Sequence, residues 1–213
     1  MSRFPNPLIE QMVAELQPVR SIKFRDGIAL LSLTMLLTVL GVELLDGLWR
    51  GALAGQASAF FVMTNGLLLV LGCASTHSVL KMATPHVGNQ HDGPKWAMAM
   101  VAVLPITAVL VLLGDGHALG SLFDSHGVVC FGAALMASAL SAGSLVFWSR
   151  RGAAVLPHTA GLHIGVASTA LGSAAYGLAC SLDGVVHLGV WHVAPVLVGA
   201  LLGRFMLPSL LRW

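Results

Sequence analysis

Six apolar runs divide the chain, near Gly27 to Leu45, Ala57 to Leu80, Trp96 to Gly114, Val128 to Trp148, His158 to Cys180 and Leu188 to Leu207, each bounded by charge, Gly or Pro. Each run is about 20 residues long, which is what a hydrocarbon core of about 30 Å demands of a helix. The pattern predicts an all-α, polytopic membrane protein: a six-transmembrane-helix bundle over residues 26–213, preceded by a cytoplasmic N-terminal segment over residues 1–25. Polar residues precede the first run, and the run is longer than the apolar region of a signal peptide, so no cleavable leader is expected.

Within the leading segment a second pattern predicts a short amphipathic helix from Asn6 to Gln17. Asn6 suits the cap, Pro7 the first helical position, and Pro18 the stop. At 100° per residue, Leu8, Ile9, Met12, Val13 and Leu16 fall within an arc of about 140°, and Glu10, Gln11, Ala14, Glu15 and Gln17 take the other side. A helix this short is marginal in water, so its apolar face needs a cover. The bilayer surface, the protein's own loops and a partner's groove are the three candidates. Membrane-surface helices carry Lys and Arg on the polar face, whereas this one carries two Glu and no base, which favours protein over lipid.

Charge fixes the expected orientation. Placing both ends of the chain in the cytoplasm puts Arg3, Arg20, Lys23, Arg25, Lys81, Lys95, Arg150, Arg151, Arg204 and Arg212 inside and leaves Arg50 alone outside. That asymmetry is the positive-inside pattern. Composition agrees: 56% of residues are hydrophobic and 9% charged, against roughly 25% charged in soluble domains. The net charge of +2 is too small to suggest direct binding of nucleic acid.

The spans are nearly free of acids, which argues against a proton or ion pathway. Asn65 is the conspicuous amide among them. The chain contains no GxSxG, HExxH, P-loop or dinucleotide fingerprint, so an enzyme is not expected. Gly161 with Gly165 and Gly199 with Gly203 stand at the four-residue spacing that permits close helix approach.

Candidate chemistry collects at the outer ends of the fourth and fifth spans. Cys130 and Cys180 fall at matched depth on sequential antiparallel helices, and a bridge between them needs Cα atoms within about 7 Å. Asp124, His126, Asp183, His187 and His192 belong to the same side. Thiolate with imidazole and carboxylate suits a soft divalent metal, and paired thiols suit a redox switch. The plain alternative for each cysteine is a small packed hydrophobe. Cys73, midway along the second span, reads as packing. A haem bundle would need facing histidines buried in the spans; His77 with His163 is the only pairing that suggests itself, and none lies near the outer side.

Several segments together resemble a known family: Leu8-Ile9 to Leu16-Gln17-Pro18-Val19-Arg20, Arg150-Arg151-Gly152-Ala153, the pair Cys130 and Cys180, Trp191-His192, and Gly199-Ala200-Leu201-Leu202-Gly203-Arg204 to Leu211-Arg212-Trp213. In these the chain is similar to the NrsF-type negative regulators, membrane anti-sigma factors of proteobacteria that hold an extracytoplasmic-function sigma factor inactive. The resemblance implies a multi-pass protein of the inner membrane whose partner is that sigma factor. It implies no obligatory cofactor, and release on heavy-metal or oxidative stress sensed at Cys130 and Cys180, with a heavy-metal ion as a transient ligand. The competing reading of the residues is a small membrane transporter or metal-efflux component, which would need polar groups lining a path at the bilayer midplane.

Overall fold

The computed structural model describes residues 7–15, 23–83, 93–114, 125–152 and 154–211, and within them every element is helical. The helices are α1 (Pro7–Ala14), α2 (Phe24–Leu45), α3 (Arg50–Leu53), α4 (Ala59–Met82), α5 (Gly93–Gly114), α6 (Ser125–Ala137), α7 (Ala139–Arg151), α8 (Pro157–Gly177), α9 (Val185–Trp191), α10 (Ala194–Met206) and α11 (Pro208–Leu211). The expected fourth span is α6 continued by α7 and the sixth is α9 continued by α10. With these pairs joined, five helical segments among the described residues are long and apolar enough to cross a membrane: Phe24–Leu45, Ala59–Met82, Pro94–Gly114, Ser125–Arg151 and Val185–Met206.

The predicted fifth span, α8, has the length of a membrane helix and a different character. Every residue from His163 to Gly177 is buried, and the run is built from Gly, Ala, Ser and Thr with few large side chains. α8 packs against α2, α4, α6, α7, α10 and α11, so it forms the axis of the bundle. Its neighbours carry the lipid-suited surface instead. Leu33, Leu36, Leu37, Leu40 and Leu44 of α2 and Val103, Ile106, Leu110 and Leu113 of α5 are all exposed; an apolar surface of that extent on an isolated chain marks contact with lipid or a partner.

The paired glycines explain how closely the axis is gripped. A Cβ on Gly165 would overlap the carbonyl of Gly199, and one on Gly161 would overlap that of Gly203, so the two small-residue ridges of α8 and α10 lie face to face. The break between α6 and α7 has a local cause. The Ser138 hydroxyl donates to Leu135 O at 2.6 Å and its N–H is shared between Ala134 O and Leu135 O, a hydroxyl competing for the ladder of its own helix. Pro195, in the first turn of α10, lacks the N–H that would carry α9 straight on.

Contacts between helix ends define two poles. At one, Gly27 of α2 meets Leu80 of α4 and Trp148 of α7, Gly152 meets the backbone of Ala83, and His158 Nδ1 lies 3.2 Å from Arg204 O. Lys23, Arg25, Lys81, Arg150, Arg151 and Arg204 belong to this pole by their place in those elements. At the other, Trp49 N–H donates to Leu178 O at 2.8 Å and Trp49 packs edge-on against Phe61. Arg50 lies here, paired with Glu43 at 2.8 Å.

Of the expected amphipathic helix from Asn6 to Gln17, Pro7–Ala14 is helical; Asn6, Leu16 and Gln17 lie outside the described residues. Leu8, Ile9, Met12 and Val13 are all exposed, and no residue of α1 is buried. Cys73 is exposed on the flank of α4 rather than packed. Asn65 reaches no neighbouring helix through its amide N–H: Nδ2 donates to Phe61 O of its own helix at 3.0 Å, and Oδ1 abuts Gly177 of α8 without a hydrogen bond.

Candidate functional site

At the pole that holds Arg50, Cys130 from the first turns of α6 and Cys180 from the connection after α8 are brought together with Val42, Ala134 and Tyr176 in a small separate core. Helix α8 ends at Gly177, so Cys180 lies just beyond the helix rather than within it. Neither thiol is in a disulfide and both are buried, at 7% and 6% exposure, and their sulfur atoms are 3.8 Å apart. The matched depth expected from the sequence is therefore real contact.

Two imidazoles complete the group. His187 of α9 places Nε2 3.5 Å from Cys180 Sγ. His192, at the end of α9, is 1% exposed, packs its ring 5.6 Å from that of His187 and stacks on Tyr176 at 6.5 Å. One ligand atom from each of Cys130, Cys180, His187 and His192 lies within 4.8 Å of all the others. Neither ring nitrogen of His192 makes a hydrogen bond of proper geometry, although the ring is near enough to Cys180 to affect its thiolate. The position of His192 follows from its neighbour: the Trp191 indole lies on Gly127, where any Cβ would overlap it. Gly127 and Cys130 are three residues apart on α6, hence on one face, so seating Trp191 delivers His192 to the thiols.

The electrostatics favour the thiolate at Cys180. The Cys130 thiol, donating toward it, holds the Cys180 pKa well below the ordinary thiol range. His187 and His192 act in the same direction, and burial opposes them. The Cys180 S–H, when present, has Leu182 O at 3.7 Å. A cleft of about 290 Å³, lined by Ser125, His126, Val129, Cys130, Tyr176 and Cys180 among others, leads to both sulfurs.

The remaining sequence candidates fall elsewhere. His126 is exposed and lines that cleft without joining the four converging atoms. Asp183 is engaged by Ser58: Ser58 N–H donates to Asp183 Oδ2 at 3.2 Å and its hydroxyl to Asp183 O at 3.3 Å, while Ser58 caps α4 by accepting from Phe61 N–H. Its role is to clamp two connections together. Asp124 lies outside the described residues. Tyr176, which packs against both sulfurs and stacks on His192, was not singled out by the sequence; a tyrosine at the end of a small-residue helix carries no spacing signal of its own.

A family model described as NrsF, negative regulator of sigma F, matches residues 12–213 of the chain. No curated protein and no solved structure matches it.

Proposed function

Because the chain belongs to the NrsF family, the negative regulators of sigma F, we propose that it is an anti-sigma factor of the bacterial inner membrane that sequesters an extracytoplasmic-function sigma factor and releases it when metal or oxidant reaches Cys130 and Cys180. In this reading six helices cross the bilayer, α8 among them, with both chain ends in the cytoplasm and the thiols at the outer interface. The exposed apolar face of α1, with Leu8, Ile9, Met12 and Val13, docks into a groove of the sigma factor, and His126 lines the cleft that leads to the thiols.

The observation that carries the reading is the separation of two poles on one rigid axis. The thiol cluster closes one end of α8, and the basic end, to which α1 is joined through residues 16–22, lies at the other. A ligand that changes how α6 and the connection after α8 are held alters the packing around α8, and α8 touches the helices that form the basic pole. Driving such a two-state equilibrium from 1:99 to 99:1 requires about 5.5 kcal/mol of differential affinity. Metal–thiolate coordination or a covalent bond between the sulfurs is of the strength to supply it.

The test is affinity capture of the full chain from its native membrane, with and without cadmium, followed by identification of the co-purifying protein. Recovery of a sigma factor that is lost on metal treatment is expected. Absence of any sigma factor under both conditions would overturn the reading.

A further inference from the structure

Cys130, Cys180, His187 and His192 have the dimensions of a closed tetrahedral metal site. Around a zinc ion, with Zn–S about 2.3 Å and Zn–N about 2.0 Å, the edges of the tetrahedron are about 3.8 Å between two sulfurs and about 3.5 Å between sulfur and nitrogen. The two edges defined here are 3.8 Å for Cys130 to Cys180 and 3.5 Å for Cys180 to His187. The other ligand atoms lie within 4.8 Å, so the last edges close by side-chain shifts of about 1 Å.

The second observation is independent of the spacing. His192 is 1% exposed and has both ring nitrogens without a hydrogen bond. Burying a polar group unpaired is costly, and buried groups left so call for a missing partner. A cation at the centre of the cluster satisfies one nitrogen at once. Two soft sulfurs with two imidazoles select zinc-class ions over calcium or magnesium, which take oxygen ligands. The cleft beside the sulfurs supplies an entry path.

We propose that these four side chains form a resident, four-coordinate site for a zinc-class divalent ion, with His187 and His192 as full ligands alongside the two cysteines. The inference rests on the proposed function for what the site serves, and on its own geometry for its chemistry. With all four positions filled by protein, the site is of the structural kind, lacking the open position of a catalytic one. It ties α6 to the connection after α8 and to α9. Oxidation then competes with the metal for the same sulfurs: two zinc-bound thiolates and a hydroperoxide, taking up two protons, give one disulfide, an alcohol, water and the freed zinc ion. A softer ion acts instead by replacing zinc.

The test uses the full chain purified in detergent under reducing conditions, stripped with a chelator and titrated with cobalt(II) as a coloured probe for zinc. One cobalt per chain is expected, with sulfur-to-cobalt charge-transfer absorption, the strong visible bands of tetrahedral cobalt, and loss of both on adding zinc. His187→Ala and His192→Gln should each weaken zinc binding at least tenfold and diminish the tetrahedral bands, whereas His158→Ala, at the opposite pole, should leave both unchanged. X-ray absorption on the zinc-loaded wild-type protein, which avoids any folding defect in the variants, should count two sulfurs and two nitrogens. Failure to bind cobalt, a spectrum without sulfur charge transfer, or a ligand count lacking either pair would overturn the proposal. Sigma-factor capture measured on the same preparation separates the two readings: capture retained without a metal site removes only this proposal, and a metal site without capture removes only the proposed function.

Discussion

Gly165 of α8 lies so close to Gly199 of α10 that no side chain fits between them: a methyl on the first meets the carbonyl of the second, and one on the second meets Thr169. Between membrane helices such contact supplies packing that the hydrophobic effect does not. Gly165→Val and Gly199→Leu are therefore expected to destabilise the bundle by about 1–3 kcal/mol, the usual cost of overpacking. Gly143→Ala, whose added methyl enters open space, should be neutral. Thermal unfolding of the detergent-solubilised proteins checks the ordering, and equal midpoints for all three would show that this contact contributes little.

Replacing both Cys130 and Cys180 by Ser is expected to leave the protein inserted and repressing while abolishing its response to metal or oxidant. The pair occupies a core of its own, away from the two larger apolar clusters, so the change removes the reactive atoms without undermining the bundle. A sigma-dependent reporter in cells reads the outcome. An unaltered induction ratio would remove the sensing role from these thiols.

The alkylation rate of Cys180 should depend on pH in a displaced way. In the metal-free protein its pKa is depressed, chiefly by the Cys130 thiol and then by His187 and His192. Because thiolate is the reactive form, a lowered pKa means that the rate reaches its plateau at more acid pH than for an ordinary cysteine. Cys130→Ala removes the main donor and should move the profile back toward alkaline pH. Coincident profiles for the two proteins would contradict that account.

Deleting residues 1–17, or introducing Met12→Asp, is expected to release the sigma factor without loss of insertion. All four described apolar side chains of α1's greasy face are exposed. If Met12 anchors the interface, a loss of about 2 kcal/mol is typical of such a position, which is roughly 30-fold in affinity. Titration of the purified partner against reconstituted vesicles measures it, and undiminished binding by the truncated chain would place the docking surface elsewhere.

Much of this molecule can be read from spacing alone, because a bilayer permits few backbone solutions. Five of the six expected apolar spans follow from run length, and the spacing of the glycines allows the close approach seen; matched depth made a meeting of Cys130 with Cys180 possible, but the helix rotation that brings them into contact is not written in the spacing. Features set by three-dimensional competition do not. Asp183 is taken by Ser58, a partner 125 positions away, and Cys73 lies on the outer flank because the rotation of α4 is fixed by Leu68, Leu71 and Ser75 turning inward. The break at Ser138 needed one hydroxyl's choice of acceptor, and no periodicity records that. His192 was visible only as one of several polar residues near the outer side; its distinction, burial without a partner, exists only once Trp191 has found Gly127.

The enclosure of α8 carries a consequence for how the protein is made. A nascent helix partitions from the translocon into lipid according to its own side chains, and this one has spent its surface on Gly, Ala, Ser and Thr that serve its companions. Helix α10, which supplies the facing glycines, emerges from the ribosome only later. In the proposed six-span arrangement α8 therefore integrates stably only in cooperation with α10, and a chain halted before Gly199 should leave its would-be axis exposed to quality-control proteolysis.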